Sequence, residues 1–231
     1  MKIALVGYGK MGKLLEQLAP QYGGEVTLRL DEFNNVDGAG MTPEAFANID
    51  VAIEFTMPEV AVANLERLAA LGVPAVCGTT GWYKELDRVS DIVKQNNTAM
   101  VYGANFSIGV NVFQRVVAEA AALLKDEAAY EAWAWEIHHS AKKDAPSGTL
   151  LKLVEAMREA GYSRKVDESA SRAGAHPGTH EIGFDSAADT ITLRHTARSR
   201  EGFARGALKA AQWIVGKKGV YEFREVLFGG R

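Results

Sequence analysis

"KIALVGYGKMGKLLEQLA", Lys2 to Ala19, decides how the rest of the chain is read. "KIALV" is a short apolar run, the pattern of a strand buried on both faces. "GYGKMG" follows, and "KLLEQLA" has the spacing of an amphipathic helix. A G-x-G-x-x-G element between a strand and a helix is the context in which it signals dinucleotide binding. Gly7 allows the tight turn, Gly9 lets the backbone approach a pyrophosphate, and Gly12 lets the helix pack close to the strand. Tyr8, Lys10 and Met11 complete this candidate cofactor loop. The free N–H groups at the helix start would face the phosphates.

The next candidate strand, "VTLRL" (Val26 to Leu30), ends in Asp31. That acid lies about twenty residues beyond the glycines, where a carboxylate can bind the adenosine ribose hydroxyls. The alternation then continues through the strand "DVAIEFT" and the helix "PEVAVANLERLAALG", which Pro58 opens. A fourth strand in "VPAVCGTTG", the helix "YKELDRVSDIVKQ" and the strand "AMVYGANFS" follow. Alternating strands and helices predict a parallel sheet, and ligands of such sheets sit beyond the carboxyl ends of the strands. Those ends carry Phe55 and Thr56, then Gly78, Thr79 and Thr80, then Ala104, Asn105 and Phe106. Their small and hydroxyl-bearing members offer space and donors, so all eight are candidate cofactor contacts.

Composition narrows the function classes. The chain has 231 residues, enough for one large or two small domains, and its formal net charge of −3 gives no field to attract nucleic acid. A single cysteine, Cys77, excludes an intramolecular disulfide and a cysteine-based metal cluster. The apolar run at the N-terminus is too short for a signal-peptide core or a membrane span. A soluble cytoplasmic protein without membrane or nucleic-acid partners is expected.

After Ser107 the character changes. "IGVNVFQRVVAEAAALL" reads as a long helix, and "YEAWAWEIHH" alternates, with Trp133, Trp135 and His139 on one side and Glu136 and His138 on the other. Further strands at "THEIGF" and "DTITLRH" precede the helix "GFARGALKAAQWIV". This grouping predicts an α+β domain with an open mixed or antiparallel sheet covered by helices on one face. An apolar second face would need another subunit as its cover.

All five histidines lie between 138 and 195, which raises the question of a metal. His138 and His139, as neighbours on one predicted strand, point to opposite faces. His176 and His180 have helical spacing, but Pro177 and Gly178 lie between them. No metal is expected. Ser147 sits in "PSG" rather than a strained G-x-S-x-G elbow, so nucleophilic catalysis is weakly supported. "APSGTLLKLVEAM" reads better as a turn opening a helix, where N–H groups and the Ser147 and Thr149 hydroxyls would hold a carboxylate, with Lys142 just upstream. The alternative is an ordinary capped helix with solvated lysines.

The stretch "EIHHSAKKDAPSGT", Glu136 to Thr149, closely resembles the H-H-x-x-K-x-D-A-P-S-G-T signature of the dihydrodipicolinate reductase family. "GTTG", "ANFSIGVN", "RAGAHPGTHEIGF" and "HTARSREGFARGA" fit the same family in the same order, so the resemblance spans nearly the whole chain. It implies a Rossmann-type dinucleotide-binding domain from residues 1–107 and 200–231, a substrate-binding and oligomerisation domain at 108–199, and a homotetramer. It also implies NAD(P)H-dependent reduction of a cyclic imine dicarboxylate in diaminopimelate and lysine synthesis. Matched residue by residue, His138 would be the proton donor and acceptor and Lys142 the proton donor. His139, Ser147, Gly148 and Thr149 would contact substrate, with Thr80 and Arg200 matched through shorter motifs. Gly78 to Thr80 and Ala104 to Phe106 would flank the nicotinamide.

The chain departs from the family pattern at the glycine loop, which is one residue shorter than G-x-x-G-R-M-G and carries Lys10 for the arginine. Asp31 followed by Glu32 puts two acids where NADP carries its 2′-phosphate, which predicts a preference for NADH over NADPH. Lys10 and Arg29 are the nearby cations that would oppose it. Two rival readings are another Rossmann oxidoreductase acting on an amino-acid precursor and a non-catalytic nicotinamide-binding sensor.

Overall fold

A computed structural model describes residues 1–229. In chain order the elements are β1 (Lys2–Val6), α1 (Lys10–Leu18), β2 (Glu25–Leu30), α2 (Pro43–Phe46), β3 (Val51–Glu54), α3 (Pro58–Ala70), β4 (Ala75–Cys77), α4 (Leu86–Gln95) and β5 (Ala99–Tyr102). They continue as α5 (Ile108–Leu124), β6 (Glu131–His138), α6 (Gly148–Glu159), β7 (Val166–Arg172), β8 (Thr179–Asp185), β9 (Thr190–Thr196), α7 (Glu201–Ile214), β10 (Gly219–Glu222) and α8 (Phe223–Phe228). One compact unit runs to Ile108 and resumes at Glu201, and the other is Gly109–Arg200. The first-domain segment expected at 200–231 ends in residues 230 and 231, which lie outside the described residues.

The first unit is a six-stranded parallel sheet in the order β10-β5-β4-β3-β1-β2. Its strands are apolar without alternation because both faces are covered. In β1, Ile3 and Leu5 enter one core and Ala4 and Val6 the other. Burying a side chain the size of Leu or Ile is worth about 1.5–3 kcal/mol, so β1, lying between β3 and β2, is held by both cores. The chain reverses its direction of strand addition at β1 and β3, and the crevice at such a reversal is where α/β sheets take ligands.

The second unit is a four-stranded mixed sheet, β7-β6-β8-β9, with β6 and β7 parallel and the other pairs antiparallel. Ala132, Ala134, Ile182 and Phe184 on one face pack against α5 and α6 through Phe113, Val117, Leu150 and Val154. Trp133, Trp135 and Ile137 occupy the other face and are half-buried. Gly183 makes room there, since a Cβ would stand 2.1 Å from the Trp133 indole.

Four elements lie beyond the sequence reading. β7 is "VDESASR", too polar to read as a strand, and it forms because its backbone pairs with β6 at the sheet edge. β10 is four half-buried residues beside β5, and α2 and α8 are a turn or two long. One expectation is corrected: β6 ends at His138, so His139 belongs to the following turn and is not its neighbour on the strand.

Candidate active site

In the first unit the glycine loop is shaped by what a side chain would strike. Gly7 has φ +100°, and a Cβ there would stand 2.0 Å from the Phe55 carbonyl oxygen. At Gly12 a Cβ would stand 2.5 Å from the Gly7 carbonyl oxygen, whereas over Gly9 it would meet nothing within 4 Å. The backbone is therefore open to a ligand at Gly9, where α1 begins. Lys10 is exposed and Met11 half-buried. The Tyr8 hydroxyl donates to Glu16, which also pairs with Arg29 (Nε to Oε1 3.0 Å). Arg29 is thus already engaged by a carboxylate.

Asp31 Oδ1 accepts from the N–H groups of Phe33 (2.9 Å) and Asn34 (3.1 Å), which fixes the carboxylate beyond β2. It borders a cleft of about 560 Å³ shared with Gly7, Glu32, Thr56, Met57 and Arg67. A smaller depression of about 290 Å³ is lined by residues that include Met11, Phe55, Thr56, Gly78, Thr79 and Thr80. Beneath it lies buried Glu54, which accepts from the Thr56 hydroxyl and the Cys77 thiol (3.1 Å), while Thr56 N–H donates to Thr79 Oγ1 (2.7 Å). Burial pushes the Glu54 carboxyl up against the opposing hydrogen bonds of Thr56, Thr79 and Cys77. It also pushes the Cys77 thiol well up, so Cys77 is a core group and not a nucleophile. The Phe55 ring lies on Gly78, where a Cβ would come within 2.1 Å of it. Ala104 is exposed, Asn105 Oδ1 accepts from Ser107 N–H (2.8 Å), and the Phe106 side chain is in the core. The open Gly9 face, the locked Gly7 turn and the cleft beside Asp31 fit a dinucleotide.

The second unit is organised around Glu136, which is fully buried. Its Oε1 accepts from Ser147 N–H (2.8 Å) and Arg172 Nη2 (2.8 Å). Its Oε2 accepts from the Ser147 hydroxyl and lies 3.3 Å from His180 Nε2 and 3.5 Å from His138 Nδ1. Burial raises the Glu136 carboxyl, but the Ser147 and Arg172 hydrogen bonds outweigh it and hold the group below its ordinary value. Burial lowers His138, with Lys142 and Arg172 acting the same way and Glu136 opposing. His180 is pushed down to about 4, by burial first and then by His138. Burial thus favours the neutral form of both rings, which meet edge to face at 5.1 Å.

After β6 the chain turns, and Lys142 Nζ binds both Asp144 oxygens at 2.7 and 2.9 Å. The Lys142 hydrogen bond in turn holds the Asp144 carboxyl below its usual range. Ser147 caps α6 by accepting from Leu150 N–H (3.2 Å). The Ser147 N–H and hydroxyl, read from the sequence as donors to a ligand, are directed at Glu136 instead. Gly148 is exposed with open space above its Cα, Thr149 and His139 are half-buried, and Arg200 and Thr80 are exposed.

Glu136, His138 and His180 bring one oxygen and two ring nitrogens within 4.8 Å of one another, a donor set that could suit a metal. Arg172 already neutralises Glu136 and would repel a cation there. Glu136, Arg172, His180 and Asp144 were not among the residues read as functional. The alternation of β6 did put Glu136 on the same face as His138, and that was the one signal available for it.

The description "Dihydrodipicolinate reductase, N-terminus" matches residues 1–106, and "Dihydrodipicolinate reductase, C-terminus" matches residues 109–227. A 4-hydroxy-tetrahydrodipicolinate reductase of Christiangramia forsetii is 34% identical over 238 residues, covering 98% of each chain. One from Methanoregula boonei is 39% identical over 193 residues, covering 77% of this chain and 74% of its own. Among solved structures, a dipicolinate-bound dihydrodipicolinate reductase from Paenisporosarcina sp. TG-14 has a TM-score of 0.81 at 21% identity, over 96% of this chain and 97% of that one, which is a likeness of fold. Both halves of the family follow one another on this sequence, and a relative matches it end to end: the chain belongs to the dihydrodipicolinate reductase family.

Proposed function

We propose that the protein reduces the cyclic imine 4-hydroxy-tetrahydrodipicolinate to tetrahydrodipicolinate with NAD(P)H, in diaminopimelate and lysine synthesis. The observation that carries this reading is the placement of His138 at the end of β6 and Lys142 in the turn before the capped start of α6. A bound nicotinamide supplies the hydride. Gly7, Tyr8, Gly9, Lys10, Met11 and Gly12 form the loop that receives the dinucleotide, with Asp31 at the ribose. Phe55, Thr56, Gly78, Thr79, Thr80, Ala104, Asn105 and Phe106 belong to the segments proposed to flank the nicotinamide.

Reduction of a conjugated imine develops negative charge that an acid must quench. Lys142 is that acid, and Asp144 holds its ammonium end in place. His138, whose neutral form burial favours, exchanges protons with solvent as donor and acceptor. His139, Gly148, Thr149, Thr80 and Arg200 are proposed contacts of the dicarboxylate, and Ser147 secures the helix start on which Gly148 and Thr149 sit. NADH is the proposed preferred cofactor: Asp31, Glu32, Asp37 and Glu59 line the adenosine cleft, with Arg67 the one cation among the described lining residues. Self-association as a homotetramer would cover the outer sheet face bearing Trp133, Trp135 and Ile137. Among the described residues no helix is long and apolar enough to cross a membrane, in keeping with the proposed cytoplasmic setting.

Steady-state kinetics on enzymatically generated imine test this reading. Turnover is expected, with higher efficiency for NADH. Lys142→Ala and His138→Ala should each lower kcat about 10²–10⁴-fold while folding and cofactor binding persist. Wild-type rates in both variants would remove the mechanism. Cofactor binding without turnover, where a control reductase works, would favour the sensor.

A further inference from the structure

We propose that Glu136 is a positioning residue, one buried carboxylate that sets both the start of α6 and the proton affinity of His138, with His180 Nε2 set against it at 3.3 Å and against the Ser147 hydroxyl at 3.2 Å. The inference rests on the reading of His138 as the proton handler. Glu136 cannot reorient, because Oε1 is held by Ser147 N–H and Arg172 Nη2, both at 2.8 Å, and Oε2 by the Ser147 hydroxyl. His138 Nδ1 is enclosed without a hydrogen-bond partner, and Glu136 Oε2 lies 3.5 Å away. The other side of the ring abuts Gly178, where a Cβ would stand 2.9 Å from Nε2. A proton arriving on His138 therefore creates its positive charge beside an anion that is already in place, the arrangement in which fixed charge acts with least reorganisation.

Every charged or titratable neighbour must enter that balance. Glu136 faces His138 from its own strand, Arg172 from β7, and His180 from β8 with His195 of β9 behind it. Lys142 and Asp144 act from the turn after β6. Lys142 and Arg172 oppose protonation of His138, and Glu136 and Asp144 favour it. Removing the Glu136 charge leaves the two cations less opposed, so the His138 titration midpoint should fall. A metal held by Glu136, His138 and His180 is the competing occupant, disfavoured by the Arg172 guanidinium on the same carboxylate.

The experiment is an imidazole nitrogen NMR titration of the whole protein, labelled at histidine, paired with the pH profile of kcat. Glu136→Gln keeps an acceptor for Ser147 N–H and removes the charge. It should lower the His138 midpoint by roughly one pH unit and carry the kcat profile in the same direction, with cofactor KM unchanged. Glu136→Asp should recover part of both shifts. His180→Gln, which retains a donor toward Glu136, should leave the midpoint nearly in place and lower kcat only a few-fold. If Glu136→Gln does not fold, Glu136→Asp carries the test through a smaller downward shift. An unchanged His138 midpoint in a folded variant overturns the proposal, as does stoichiometric metal in the purified wild-type protein by mass spectrometry. A role confined to anchoring Ser147 would raise substrate KM without moving the midpoint, and that outcome also overturns it. Absence of imine turnover in the wild type would remove the functional reading and leave the NMR shift to stand or fall by itself.

Discussion

Around Gly7 the first unit offers a ligand bare backbone, while around Glu136 the second unit buries charge and joins it to hydrogen bonds. The glycine loop works by the absence of side chains: a turn that excludes Cβ, an open face at the helix start, and a carboxylate fixed at the cleft. The Glu136 cluster works by the presence of several, with Arg172, Ser147, His138 and His180 arranged about one anion. Backbone sites tolerate change around them and fail when a single Cβ is added. Buried charge clusters fail when pH or substitution leaves one member uncompensated.

The largest test of this contrast is Gly7→Ala. The added methyl would enter the Phe55 carbonyl at 2.0 Å on a backbone at φ +100°. A loss of about 3 kcal/mol in urea unfolding, with loss of cofactor binding, is expected. Wild-type stability and affinity would show that the turn is not locked.

Acid should then separate the two units. The folded value of His180, about 4, lies below its ordinary 6.5. Below 6.5 the unfolded chain therefore takes up a proton that the folded chain refuses. This contribution is complete above 6.5 and is lost as pH falls toward 4, at a cost of about 3 kcal/mol. Burial of Glu54 raises its carboxyl, so its contribution has the opposite sign and is lost as pH rises. Between pH 7 and 4.5, amide protection relative to the intrinsic exchange rate at each pH should fall further in β6 than in β1, and His180→Gln should narrow the gap. Equal loss of protection in both strands would break the comparison.

The smallest effect is expected at the cleft rim. Asp31→Ser removes a charge from a site that the backbone shapes, so the fold should be kept. The efficiency ratio of NADPH to NADH should rise about tenfold, or 1.4 kcal/mol. An unchanged ratio would move selectivity to Glu32, Asp37 or Glu59.

Legibility differed in the same way. Strand, glycine loop, helix and Asp31 are contiguous or regularly spaced, so local rules reached them. The Glu136 cluster is assembled by register: β8 places His180 opposite Glu136, and β7 places Arg172 opposite His138. The polar sequence of β7 hid the strand that carries Arg172. His138 and His139, adjacent in the sequence, are separated by the end of β6, and the ring that His138 meets is His180 across the sheet.

From the sequence alone came the alternating α/β half, the change of character after Ser107 and the signature from Glu136 to Thr149. Local spacing, turn chemistry and motif identity are properties of neighbours along the chain, and they survive without a fold. Only the tertiary structure decided that Ser147 faces inward, that Arg29 is engaged by Glu16, and that one buried carboxylate joins the start of α6 to His138. Those facts depend on strand register and on which charges are compensated once water is excluded, and both arise only when distant segments pack.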